Sequence, residues 1–284
     1  MKIGLFVFAT DRTMDVAVLA KKAEELGFDS FWLPEHAIIP VNTTSPFPGS
    51  PDGVIPEYYG RISDPFISLA RASAVTSTIK LGTGVCLVPE RNPILLAKEV
   101  ATLDRISGGR FLFGVGSGWL KEESEILGAD FPHRWTHTKD SVLAMKELWT
   151  KDPAEYHGTH NDFPPVKLFP KPIQKPHPPV YLGGKAKNVF KRVVEWADGW
   201  MPNRISPEEV KAGRAVLDEL ASAAGRDPKS IQITAFGGAD RFRDRESLPA
   251  LEEAGADRMT LWLGEADSDA ALGEMEQLAK LFLA

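Results

Sequence analysis

Residues Leu103–Trp119 read LDRISGGRFLFGVGSGW. The stretch is a helix end, a Gly-Gly turn, a buried strand (RFLFGV) and a loop with glycines alternating at 114, 116 and 118. It holds no metal-ligand set and no nucleophile–base pair. It offers bare backbone at a strand end, where a cofactor or phosphate can approach closely. That signal gains weight only if strand–loop–helix units repeat around it.

They do. Short apolar strands are expected at Lys2–Phe8, Phe28–Leu33, Lys80–Leu87, Arg110–Val115, Pro179–Leu182, Gly199–Pro202, Ser230–Phe236 and Arg258–Leu263. Helical patterns alternate with them. Thr13 is placed as the N-cap of the first, which stops at Gly27. Asp64-Pro65 opens the second and Pro93–Ile106 forms the third. Trp119–Leu127, Thr136–Thr150, Ala186–Ala197, Ser206-Pro207 to near Gly225, Leu248–Ala254 and Asp269–Leu283 complete the set. Eight β/α units predict an α/β chain closed as a (β/α)₈ TIM barrel. An open doubly wound sheet is the alternative, but the first βα turn, FATDRT, lacks the G-x-G-x-x-G fingerprint. A single domain over residues 1–284 is expected, with insertions at about 37–63 and 151–178. Both insertions are assigned to strand C-terminal ends, after strands two and four, where barrel active sites are built.

Composition narrows the function. A net charge of −6 argues against wholesale nucleic-acid binding. The single cysteine, Cys86, excludes an intrachain disulfide and fits a reducing cytoplasm. No stretch approaches a membrane span, and the N-terminal apolar run is too short for a signal peptide. The six histidines are scattered without H-x-H or H-E-x-x-H, so no catalytic metal site is expected.

The strand ends supply the candidates. Strand two ends in Pro34-Glu35-His36. Residue type alone favours a loop histidine satisfied by hydrogen bonds, but the strand-end position points to base or ring-contact work. Strand three ends LGTGVCLVPERNP, whose two close glycines predict a bulge or a plain barrel bend. Cys86 there reads best as a small buried core residue. Strand five ends Leu182-Gly183-Gly184-Lys185, a helix follows at once, and the pair is an anion turn or a plain tight turn. Between Lys167 and Arg192 lie seven basic residues and no Asp or Glu, a local positive field suited to an anionic tail or simply solvated lysines.

These motifs occur in a known order: IGLF, FDSFWLPEH, LGTGVCLVPERNP, LAKEVATLDRISGGRFLFGVGSGW, KPIQKPHPPVYLGG and EWADGWMP. The chain resembles the bacterial-luciferase-like superfamily of flavin- and deazaflavin-dependent oxidoreductases over nearly its whole length. The resemblance implies coenzyme F-420 or FMN at the barrel mouth, a small-molecule substrate, and a homodimer by family habit. It assigns His36 the catalytic role and places Glu35, Gly84, Val85, Cys86, Gly116, Ser117, Gly118, Trp119, Gly183, Gly184, Lys185 and Trp200 at the cofactor, with Gly199 beside Trp200. In several deazaflavin members the Gly84-Val85 position is a non-prolyl cis peptide. Many members carry two adjacent histidines here; this chain has Ala37 at the second position, which leaves His36 alone. Residues 42–59 match no family motif and are expected to form the substrate-side loop. The expected function is F-420-dependent hydride transfer. The alternatives are an FMN-dependent monooxygenase fed by a partner reductase, and a non-catalytic cofactor-binding barrel.

Overall fold

A computed structural model describes residues 1–238, 242, 244–264 and 269–284. The chain runs β1 (Lys2–Phe6), α1 (Val16–Leu26), β2 (Ser30–Leu33), α2 (Pro65–Ser73), β3 (Lys80–Thr83), β4 (Cys86–Leu87), α3 (Pro93–Ile106) and β5 (Phe111–Gly116). There follow α4 (Lys121–Ile126), α5 (Arg134–Thr150), β6 (Ala154–His157), β7 (Asp162–Val166), β8 (Val180–Gly183) and α6 (Val189–Trp196). It ends with β9 (Gly199–Met201), α7 (Pro207–Ala223), β10 (Gln232–Phe236), α8 (Ser247–Glu253), β11 (Arg258–Trp262) and α9 (Ala270–Phe282). Parallel pairing runs β3-β2-β1-β11-β10-β9-β8-β5, and β3 also pairs with β5, so the ring closes. This is the expected eight-stranded TIM barrel, not an open sheet.

Strand residues alternate between two cores, as period-2 geometry requires. Leu5, Val7, Phe31, Leu33, Phe111, Phe113 and Val115 face the helices. Phe6, Phe8, Trp32, Leu112, Tyr181, Met201 and Phe236 fill the barrel itself. On the third strand, Gly82 pairs with Leu112 and Cys86 with Val115, so three residues (83–85) stand opposite two (113–114) of β5. The predicted bulge therefore lies at Thr83–Val85.

The polar residues of LDRISGGR stitch the barrel floor. Buried Asp104 accepts from Ile173 N, Gln174 N and Gln174 Nε2 at 2.6–3.0 Å. Arg110 donates to the carbonyls of Ser107 and Ile79 at 2.6 and 2.7 Å, and to Ser73 and Thr76 at 3.2 and 3.0 Å. A buried guanidinium is tolerated because its donors are satisfied in this way.

Four local expectations change. Asp15, not Thr13, caps α1, because its carboxylate accepts from Ala17 N while the Thr13 hydroxyl bonds back to Thr10 O. Helix α6 starts at Val189, so Ala186–Asn188 separate it from the Gly-Gly turn. The 151–178 excursion holds an antiparallel hairpin, β6–β7, whose Asp162–Val166 strand carries two prolines that hide it from pattern reading. That excursion also follows α5 rather than a strand. Asp140 of α5 accepts from Thr159, His160 and Asn161 N–H groups, so the hairpin lies along the flank of α5 and then feeds the N-terminal end of β8. Only the 37–63 insertion lies at the mouth. Among the described residues no helix is long and apolar enough to cross a membrane.

Candidate active site at the barrel mouth

The exit of β2 delivers Glu35 and His36, both buried, in different directions. Glu35 Oε2 accepts from Leu87 N at 2.6 Å and Oε1 from Arg91 Nε at 2.7 Å. Its carboxylate ties β2 to β4 and to Arg91, with both oxygens engaged. His36 Nδ1 lies 2.5 Å from Glu123 Oε2, and Trp119 Nε1 donates to His36 Nε2 at 3.2 Å. An indole N–H only donates, so Nε2 accepts, and the proton must sit on Nδ1, facing the carboxylate. Glu123, fully buried, also accepts from Ala37 N and Ile38 N at 2.8 and 3.2 Å through Oε1. One carboxylate thus fixes the tautomer, the ring orientation and the chain beyond it. Above the pair, Tyr59 packs 5.3 Å from His36, and Phe47 lies 5.5 Å from Trp119 and 4.9 Å from Tyr59. These two aromatics come from the 37–63 insertion, which covers the mouth.

The Gly84–Val85 peptide is cis, the conformation the resemblance implied. Val85 projects between two glycine backbones. A Cβ on Gly116 would meet Val85 Cγ2 at 2.6 Å, and one on Gly183 would meet Val85 Cγ1 at 2.8 Å. Both separations are far inside van der Waals contact, so these glycines make room for the bulge. Gly114 does the same for the Thr83 carbonyl and Met201. The alternating glycines therefore clear space first for neighbouring strands. Gly118 adopts φ +77° and faces Glu90, while Ser117 is buried. Cys86 turns outward into the helix-facing core, and burial, with Glu35 nearby, pushes its thiol well up, so it stays a protonated packing residue.

At the β8 exit Gly184 adopts φ +94° with nothing within 4 Å of a Cβ, which leaves open space for an approaching group. Trp200 turns away from the mouth. Its ring packs 4.8 Å from Phe190 and its Nε1 donates to Gly184 O at 2.9 Å, buttressing the turn from outside. Gly199 stands close to the Tyr181 ring. Lys185 Nζ reaches Arg204 O and Glu209, each at 3.2 Å. The seven-residue basic tract does not form one field. Lys171 caps the end of α5 through Leu148 O, and Lys167 to Lys175 precede β8, so they lie beneath the barrel. Only Lys185 and its followers lie at the mouth, because β8 itself separates the two groups.

A family model described as luciferase-like monooxygenase matches residues 1–270. The chain belongs to the luciferase-like monooxygenase family. An uncharacterized protein of Mycobacterium tuberculosis is 39% identical over 98% of both chains. The coenzyme F420-dependent tetrahydromethanopterin reductase of Methanopyrus kandleri superposes with TM-score 0.79 at 19% identity, covering 99% of this chain and 98% of that one. A type II Baeyer–Villiger monooxygenase of Pseudomonas putida in complex with FMN superposes with TM-score 0.66 at 20% identity, covering 82% and 66%. At these identities the two structures speak for the fold alone. Luciferase-like members are oxidoreductases and monooxygenases, and the relatives include both F420 and FMN users.

Sequence reasoning reached His36, Trp119 and the Val85 bulge but passed over Glu123, Phe47, Tyr59 and Glu90. One signal was available for Glu123. Leu120, Glu123 and Ser124 occupy the buried stripe of α4 and its N-cap, so a carboxylate stands where periodicity asks for an apolar residue.

Proposed function

We propose that this protein is an oxidoreductase that moves a hydride between coenzyme F-420 and a small organic substrate, with His36 managing the accompanying proton. The His36–Glu123–Trp119 arrangement carries the reading. Nε2 is the ring nitrogen with a lone pair, and Glu123 stands ready to balance the charge of an imidazolium. Trp119 aims that nitrogen and would be released when it takes a proton. The residues present suit a planar ring with an anionic tail: Val85 and the bulge would back the ring, and Gly184 leaves its approach open. The bound deazaflavin would supply hydride chemistry that no side chain has. Phe47, Tyr58 and Tyr59 would exclude water once the insertion closes over both ligands. The preference for F-420 over FMN follows the resemblance of the sequence motifs to the deazaflavin-dependent members.

Titration of the protein with F-420 and with FMN, followed by fluorescence quenching, tests the cofactor. Single-turnover hydride transfer in His36→Gln tests the base; an unchanged rate at saturating cofactor would remove His36 from the mechanism. The family description favours a second reading, an FMN-dependent monooxygenase supplied by a partner reductase. Oxygen consumption with reduced FMN, absent with reduced F-420, would select it. Tight binding without turnover in either assay would select a non-catalytic barrel.

A further inference from the structure

Glu90 is a half-buried carboxyl that the reading above does not use, and it stands directly behind His36's two partners. Its Oε1 accepts from Ser124 Oγ at 2.5 Å, and Ser124 follows Glu123 in α4. The same oxygen faces Gly118, where a Cβ would meet it at 2.8 Å, and Trp119 follows Gly118. Glu90 therefore abuts both segments that hold His36: the helix carrying Glu123 and the loop carrying Trp119. We propose that Glu90 is a positioning residue for His36, setting the Glu123–His36–Trp119 geometry through its contacts with α4 and with the Gly118–Trp119 loop. The inference rests on His36 being the proton-handling group proposed above.

The electrostatics around Glu90 support a switch rather than a fixed ion pair. Ser124 and Glu123 face it from α4, Glu35 from the β2 exit, and Arg91 is its chain neighbour. Arg91 is the cation of this group, and it is already engaged by Glu35, Asp64 and Glu99. Burial, opposed by the Ser124 bond and reinforced by Glu123 and Glu35, pushes the Glu90 carboxyl up to about 8. Below about pH 8 the protonated form of Glu90 prevails, and Glu123 then faces His36 without this second anion beside it. As pH rises through about 8, Glu90 ionises. A second carboxylate charge then sits beside Glu123 in a region of low dielectric, where repulsion is weakly screened. The short contacts to Ser124 and Gly118 carry the resulting movement to His36.

The test is ¹⁵N NMR of the His36 imidazole in the protein without cofactor, from about pH 6 to 9.5, with His36→Gln assigning the resonance. The wild-type shift is expected to show an inflection near pH 8. Glu90→Gln, which keeps an acceptor for Ser124 but cannot ionise, should abolish it. An inflection that survives in Glu90→Gln, or a wild-type curve without one, overturns the proposal. Should Glu90→Gln fail to fold, Ser124→Ala keeps the carboxyl and removes the bond that lowers its titration. The inflection must then move to higher pH, and an unmoved one overturns the proposal. The outcome is separable from the base assignment. Unchanged hydride transfer in His36→Gln would end the base role while leaving this coupling intact.

Discussion

Glu123→Gln isolates what the carboxylate does for His36. The glutamine carbonyl can still accept from Ala37 and Ile38, which Glu123 Oε1 serves at 2.8 and 3.2 Å. Its amide group then takes the place of Oε2, the atom 2.5 Å from His36 Nδ1. Two N–H groups cannot face each other, so Nδ1 gives up its proton and Nε2 takes it. Nε2 then meets the Trp119 indole N–H, which points at it from 3.2 Å. One buried donor is left unmatched, at a cost of about 1–3 kcal/mol. The lone pair no longer faces the reacting side, so the general-base contribution of roughly 10²–10⁴ in rate disappears. Single-turnover hydride transfer with the loaded enzyme measures the rate, ¹⁵N NMR of His36 reports the tautomer, and urea titration reads stability. A rate within about threefold of wild type, with the proton demonstrably moved to Nε2, would refute the reasoning.

Three further outcomes are expected. Glu24 Oε1 accepts from Ser77, Thr78 and Ile79 N–H groups; burial pushes its carboxyl up, but these bonds prevail and hold it at about 2, below its ordinary 4.5. A lowered carboxylate stabilises the fold above its unfolded value and loses that stability as pH falls from about 4.5 through 2. Glu24→Gln should therefore cost about 3 kcal/mol in urea unfolding at pH 7 and flatten the acid limb between pH 5 and 2; a parallel acid limb contradicts this. Gly116→Ala drives a methyl against Val85 and should cost about 1–3 kcal/mol, recovered in the double variant with Val85→Ala; additive losses in thermal unfolding would dismiss the wedge. Gly184→Ala and Gly184→Asp share the strain of φ +94°, but only the second adds a negative charge. The aspartate variant should bind F-420 or FMN more weakly than the alanine one in fluorescence titration, and equal affinities would exclude an anion at that turn.

Much of this was legible in the chain because the strand–helix alternation is strongly periodic. Pro93–Ile106 and the Gly27 stop match their expectations, since a proline at the first turn and a glycine in the left-handed region are local, self-contained signals. Tertiary partners are what local pattern does not encode. Asp15, two residues after Thr13, takes the cap role because its carboxylate reaches the free Ala17 N–H in the first turn. The basic tract looked continuous in one dimension and proved to straddle a strand, which put its members at opposite ends of the barrel. Glu123 was missed because its partner lies 87 residues away, and no spacing rule spans that distance. The glycines of GVGSGW suggest room for a cofactor, but what stands against Gly116 is Val85 of the neighbouring bulge, a partner that local pattern does not reveal.

The clamps around Asp104 and Arg110 divide the molecule into parts that can change at different speeds. Each clamp ties backbone from elements distant in the sequence to the underside of the sheet. The 37–63 insertion is anchored at the other end of the barrel, by Glu122 accepting from Thr44 and Ser45 N–H groups, by Arg61 to Asp11 and by Ser63 N to Ala9 O. Drift or recombination in that loop can reshape what enters the mouth without disturbing the clamps below. Replacement of residues 42–59 should therefore leave the barrel's melting behaviour nearly unchanged, while replacement at Ala37 or Ile38 reaches Glu123 and His36.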